Sequence, residues 1–482
     1  MLRGLVPQRS RSVIAVVRRP TFAASMSILL AVCVGWAVAT RPMGQVMVLV
    51  LGLLLFLCAG IAAAAGWTAL AFVGAGIMLA SALTDWPRIV SFGPVTLLGA
   101  FTIIYAMAGI LLSVGHRRSR SAALTLRPFM WFVAWTAISF IWYPPTIEGL
   151  QNVAVFVGFA ALASAAAGVF AVAPWSSDDL FKWFDRAIYL SVFLYLVTVV
   201  VDGPGTDLLM SARGFALFAM LGVARGLAVF RYESRRGAFM IGVVVVAVML
   251  SLSRTALAIC FLLVPLAWLD RRSIPRRVVV VLAIGLAVGL FAFAATSFGP
   301  LAERFAEADK SNVGGVTVSV SGRDKFWSAT WQSWLESPWI GHGAGTAESL
   351  PANFLPQGWE SSYSHPHNDY LRLLHDYGVI GAALWGVAFV LIVHRTRRKW
   401  WAAARSGAEG RTAHLQAVLG MTALALAMIT DNVIVYAYLM APLAILVGAS
   451  LAGDPEELAP FDPHITRFDR MVSAPKHVRA PR

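Results

Sequence analysis

At 482 residues, with 58% hydrophobic and 13% charged side chains, the chain is too apolar for a soluble globular domain. Its apolar residues come in continuous runs, not short alternating stretches, which excludes a membrane β-barrel and points to an all-α polytopic membrane protein. The formal net charge of +14 raises nucleic acid as a partner, but Arg and Lys gather in short connectors between apolar runs, so no nucleic acid is expected.

The first segment, 1–21, is basic, carries Arg18 and Arg19, and leads into an apolar run with no small-residue cleavage site. It reads as a retained, cytoplasmic signal anchor. Apolar runs of spanning length then follow at 22–40, 44–63, 66–84, 93–114, 128–143, 150–173, 187–202, 213–230, 237–252, 255–269 and 278–298. Past a long polar stretch come 378–394, 413–430 and 433–452. Basic clusters at Arg117–Arg120, Arg231–Arg236, Arg271–Arg277 and Arg395–Lys399 are expected to be cytoplasmic, and an even number of spans separates each neighbouring pair. The expected architecture is therefore about 14 (12–14) transmembrane helices with both termini inside and one large periplasmic loop containing short helices. Its parts are a bundle over 22–298, a loop domain over 299–377, C-terminal helices over 378–452 and a cytoplasmic, poorly ordered tail over 453–482. Cys33, Cys58 and Cys260 lie inside apolar segments and read as small core residues.

The polar stretch holds the most informative residues. Between Ser321 and Gly381 it carries Arg323, His342, His365, His367, Asn368, Asp369 and Arg372, charges too costly for hydrocarbon. Ser321 is a candidate N-cap for a helix whose Trp327, Trp331 and Trp334 share one face, packed against the membrane interface or against substrate. Ser337-Pro338 stops that helix, and Gly341, Gly343 and Gly345 permit tight turns. A second short helix is expected to open near Pro366 and close at Gly378.

Arg323 followed four residues later by Trp327, the run Pro-Trp-Ile-Gly-His-Gly-Ala-Gly over 338–345, and His-Asn-Asp-Tyr-Leu over 367–371 with Tyr-Gly-Val-Ile-Gly over 377–381 together resemble the O-antigen ligase and Wzy-type polymerase superfamily. The resemblance implies a multispanning inner-membrane protein with these motifs in a periplasmic loop, a catalytic histidine placed before Asn (here His367 rather than His365), and no metal. It also implies an Arg-Gly motif, matched at Arg213-Gly214, and a Ser-Arg motif, matched at Ser253-Arg254. The Asn that relatives carry after Arg-Gly is absent here.

Arg213 and Arg254 belong to no cytoplasmic cluster and lie at the membrane edge, where an ionisable residue is a functional candidate by default. The structural alternative is snorkelling or an ion pair, Arg213 with Asp207 for example. Arg225, inside a span, reads as snorkelling toward Arg231. With Arg323, the two edge arginines would present planar donor forks suited to phosphate oxygens. The membrane-embedded phosphate compound that suits this setting is a polyprenyl-diphosphate-linked glycan donor. His367 is the expected proton acceptor for an acceptor hydroxyl, with Asn368 orienting it and His365 and Trp327 near the substrate. His365-Pro366-His367 with Asp369 invites a metal reading, but no Cys joins it and Pro366 restricts the geometry, so no metal and no cofactor is expected.

The function expected is an inverting, metal-independent glycan transferase at the periplasmic face, polymerising repeat units of an exopolysaccharide or O-antigen. The acceptor is a second lipid-linked repeat or, for a ligase, lipid A core, with a chain-length regulator as a further partner. The rival class is a lipid-linked oligosaccharide flippase or transporter, which should show charges near span midpoints and repeated halves. A non-catalytic assembly partner would leave the histidine without a purpose.

Overall fold

The computed structural model describes residues 91–92, 95–96, 110, 120–172, 176–268, 285, 310–313, 316–319, 323–350, 366–408 and 410–452. The expected spans at 22–40, 44–63 and 66–84, nearly all of 93–114 and 278–298, both terminal segments and His365 lie outside them. Helices α1 (Arg120–Ile138), α2 (Ile147–Val172), α3 (Ser176–Asp202), α4 (Ala212–Tyr232), α5 (Arg236–Leu250) and α6 (Arg254–Leu266) precede the polar stretch. Helix α7 (Arg323–Trp334) lies within it, and α8 (Asp369–Ser406), α9 (Arg411–Ala427) and α10 (Ala437–Leu451) follow. Among the described residues five helices are long and apolar enough to cross a membrane, namely α4, α8, segments within α2 and α3, and Ala122–Ile141, which runs from α1 through the turn that follows it. The protein is a multi-pass helical membrane protein.

The helical class is as expected, with two minor additions among the described residues. Two short antiparallel hairpins occur, Ser91–Phe92 with Val95–Thr96 and Lys310–Val313 with Val316–Ser319, the second inside the expected loop domain. Residues 316–319, Val-Thr-Val-Ser, are β-branched at three of four positions, which suits a pleated strand better than a helix.

Helix α4 is the hub. It packs on α3, α5, α6, α9 and α10, and is buried along almost its whole length because its sequence mixes small residues with Phe, Leu and Met. Gly226 and Gly237 let α4 and α5 approach closely: a Cβ on Gly237 would overlap the backbone of Phe230 and Gly226. Arg225 is buried in α4, and the snorkelling expectation is corrected there. Its guanidinium donates to Asp185 of α3 at 2.8 and 3.3 Å, with Glu233 at 3.6 Å, so it is neutralised inside the bundle.

A second centre joins α1, α2 and α8. The rings of Phe132, Phe156, Tyr377 and Trp385 interlock, with Phe132 at 5.0 Å from Phe156, 5.6 Å from Tyr377 and 5.3 Å from Trp385. Helix α8 comprises the expected pair of segments, run together across a non-helical break at Gly378 (φ 65°, ψ −174°). Its first arm belongs to the expected short helix and its second to the expected span, so the sequence boundary at Gly378 survives as a bend.

Candidate active site

The bend at Gly378 frees backbone groups that a straight helix would pair internally, and the Pro-Trp-Ile-Gly-His-Gly-Ala-Gly turn takes them up. The amides of Val379 and Ile380 donate to the carbonyls of Pro338 (2.8 Å) and Trp339 (3.2 Å). From the other side, the amides of His342 and Gly343 donate to the carbonyls of His375 (2.9 Å) and Asp376 (2.8 Å). Trp135 of α1 donates its indole N–H to the carbonyl of Tyr377 at 3.0 Å. The two glycine-bearing motifs are thus halves of one clasp, each meeting the other's backbone needs. Gly341, Gly343 and Gly345 all have positive φ, as a turn this tight requires.

Side chains complete the clasp. The buried Asp376 carboxylate accepts from the amides of Ala347 (2.8 Å) and Gly345 (3.1 Å) and from Thr346 Oγ1 (3.1 Å). His375 Nδ1 lies 3.0 Å from Asp376 and its Nε2 lies 3.1 Å from Ser333 Oγ, while its ring stacks on His342 at 4.8 Å. Arg372, fully buried, is paired with Glu348. Burial pushes the Glu348 carboxyl above its ordinary value, against the opposing pull of Arg372. His342 and His375 are thus held inside the clasp by protein partners.

The clasp and the C-terminal turn hold His367 where α4 begins. Asp369 donates its amide to the Met428 carbonyl (2.9 Å) and accepts from the Ile434 amide (2.9 Å), stitching the histidine segment to residues 428–434. His367 itself has φ +50°, a left-handed conformation unusual for a residue with a Cβ, and it precedes the helix. Asn368 is the N-cap, accepting from the Leu371 amide at 3.1 Å, so the expectation that His367 sits in the first helical turn is corrected. On α4, Ser211 caps the start and Asp207 accepts from the Ala212 amide at 2.6 Å.

Arg213 projects from that helix start into a bidentate pair with Asp431, at 2.9 and 2.6 Å, and not with Asp207, the partner suggested for a purely structural arginine. The same Nη2 lies 2.8 Å from His367 Nδ1, and Asn432 Nδ2 lies 3.4 Å from that nitrogen. Guanidinium has no acceptor, so Nδ1 must supply its lone pair, and a neutral His367 then carries its proton on Nε2. In this arrangement the ring presents an N–H at Nε2, so service as a base there requires Arg213 to release Nδ1. Arg213 is 42% exposed at its side chain and Asp431 9%, so one member of the pair remains open to a ligand.

Arg254 opens α6, which packs on α4 and α9. Thr430 hydrogen bonds Thr255 at 3.1 Å, placing the neighbour of Arg254 against the neighbour of Asp431. Arg323 opens α7, and Trp327 in that helix donates its indole N–H to the carbonyl of Pro366 at 2.7 Å, beside His367. Sequence reasoning missed Asn432 and the role of Asp431. The available signal was Asp431-Asn432 at the membrane edge of the last hairpin, on the side assigned to Arg213.

An Arg–Asp–His cluster thus sits where α4 begins, and the first arm of α8 connects its histidine segment to the glycine-bearing clasp. Residues 237–386 match the family model described as O-Antigen ligase, a stretch that holds Arg254, Arg323, the clasp and His367. Over that stretch the chain carries an O-antigen ligase domain, whose chemistry is glycan transfer of the O-antigen ligase and polymerase type at a membrane. No match was found among curated proteins.

Proposed function

We propose that the protein transfers a glycan from a polyprenyl diphosphate to a second lipid-linked repeat unit at the periplasmic face of the inner membrane, without a metal and with inversion at the anomeric carbon. The observation that carries this reading is the Arg213 fork, held by Asp431 with Nη2 at 2.8 Å from His367 Nδ1. Asp431 compensates Arg213, so a diphosphate needs further positive charge, which Arg254 supplies from the adjoining helix start and Arg323 from α7. When the diphosphate draws Nη2 away, Nδ1 is no longer bound to accept, and the neutral ring can carry its proton there with a lone pair on Nε2. The acceptor hydroxyl then gives its proton to Nε2 as its oxygen bonds the anomeric carbon. The carbon–oxygen bond to the diphosphate breaks, and polyprenyl diphosphate leaves with the electron pair. Donor binding thereby switches the base on.

The ligase reading shares every one of these steps and differs in the acceptor alone. The flippase reading has no support from the family match. The deciding experiment supplies purified protein with a lipid-diphosphate glycan, alone and with lipid A core. A ladder of longer lipid-linked glycans without added core supports the polymerase; product only with core makes it a ligase. Unchanged substrate in both, with folded protein, would sink transfer altogether.

A further inference from the structure

Beside His367 lies a shallow groove of about 460 Å³ whose lining includes Trp327, Ser328, Trp331, Asn368, Tyr370 and Leu371. Its volume falls within the usual range for small-molecule sites, about 300–1,000 Å³. Trp331 and Tyr370 are 45% and 44% exposed, far more than aromatic rings that serve only as core. Both are anchored: the Trp331 ring meets that of Trp334 at 4.5 Å, and the Tyr370 hydroxyl donates to the Ala425 carbonyl at 2.9 Å. Asn368 spends its oxygen on the helix cap, and its NH2 has no protein partner among the described residues. Trp327 fixes the groove to the catalytic segment through Pro366.

Rigid, half-open aromatic faces flanking a spare amide donor fit a ligand with apolar C–H faces and a rim of hydroxyl acceptors. A lipid chain would leave the amide unanswered, and a phosphate would find no cation among the described residues of the lining. We propose that this groove binds a pyranose ring of the glycan acceptor, its C–H face on Trp331 and Tyr370 and a hydroxyl on the Asn368 amide. The proposal rests on the glycan-transfer reading above.

The test uses full-length protein in nanodiscs, labelled with 5-fluorotryptophan, the Trp331 resonance being assigned by its loss in Trp331→Phe. The probe is the oligosaccharide released by mild acid from the host's own surface polysaccharide. The Trp331 resonance should shift on titration. In the transfer assay Trp331→Ala should raise KM for the acceptor roughly tenfold with little change in kcat, and Trp331→Phe should restore most of it. A resonance untouched by oligosaccharide but broadened by spin-labelled lipid would overturn the proposal in favour of membrane contact. Arg213→Lys is the control arm. If it is inactive while Trp331→Ala has a normal KM, the groove proposal fails alone. If it is fully active while oligosaccharide still shifts Trp331, the catalytic reading fails and the groove stands.

Discussion

At the scale of single residues, the nitrogen that Arg213 engages decides what His367 can do. A histidine that acted only as a hydrogen-bond donor would be partly replaced by Gln, which keeps an N–H of similar reach. A histidine that must accept a proton would not. Since donor binding is proposed to free the ring, we expect His367→Gln and His367→Ala to be alike, each slower by about a hundred- to ten-thousand-fold in single-turnover transfer. Substantial activity in His367→Gln alone would leave the ring a donor throughout. Arg372 and Glu348 make a different kind of pair. Arg372→Met leaves carboxylates buried without their cation and should cost about 3–5 kcal/mol of stability, read as a lowered melting temperature in detergent. Glu348, whose pKa is raised above 4.5, holds its proton more tightly folded than unfolded. Its stabilising contribution is present below 4.5 and fades as pH climbs through the raised folded value. Glu348→Gln should therefore flatten the decline of melting temperature with pH in that window; an unchanged slope would show that Glu348 does not carry it.

Among the elements, the clasp matters most, because the site depends on a bend that only glycine tolerates. At Gly378 the combination φ 65°, ψ −174° is open essentially to Gly, and a Cβ would overlap the Trp339 carbonyl oxygen. Gly378→Ala should lower stability by about 3 kcal/mol or more, and lose transfer with it. Trp135→Phe removes one hydrogen bond at the same bend and should cost only about 1 kcal/mol. Equal melting temperatures for the two variants would mean that the clasp is not the weak point. The sequence made much of this element legible. The motifs around Gly341 and Gly378, the helix stop at Ser337-Pro338 and the apolar runs of α1–α6 follow from local composition and turn chemistry. That the two motifs share backbone hydrogen bonds did not, because unpaired amides and carbonyls are a property of the bend and leave no trace in residue type. The Asp431–Arg213 pair was hidden for another reason: 218 positions separate the partners, and nothing local to a lone Asp names its cation. Asp207, the nearer carboxylate, was the partner weighed for a purely structural Arg213, and it serves the Ala212 amide instead.

For the whole molecule, α4 sets two Arg–Asp pairs on one axis. Arg213 and Arg225 lie twelve residues apart, roughly 18 Å along a helix. Arg225 is closed off, its side chain 3% exposed, with Asp185 and Glu233 around it; Arg213 is 42% exposed with Asp431 beside it. A closed pair pins α3 to α4 and has no room for a substrate, whereas an open one can exchange partners. If both termini of the bundle are cytoplasmic, the Arg213 end faces the periplasm, and reporter fusions after Arg236 and Lys399 should read inside while one near Gly345 reads outside. Replacing both members of each pair separates their tasks. Arg225→Leu alone strands Asp185 and should cost about 3–5 kcal/mol, but Arg225→Leu with Asp185→Leu restores apolar packing and should recover most of the melting temperature, with transfer per folded molecule intact. Arg213→Leu with Asp431→Leu should also fold, because the pair lies at the open end of the helix, yet it removes the fork and should abolish transfer. Stability and transfer measured on the three variants decide the matter: should the Arg225–Asp185 double variant fold well but lose transfer, the closed pair would belong to the mechanism, and the division of α4 into an anchoring end and a working end would be wrong.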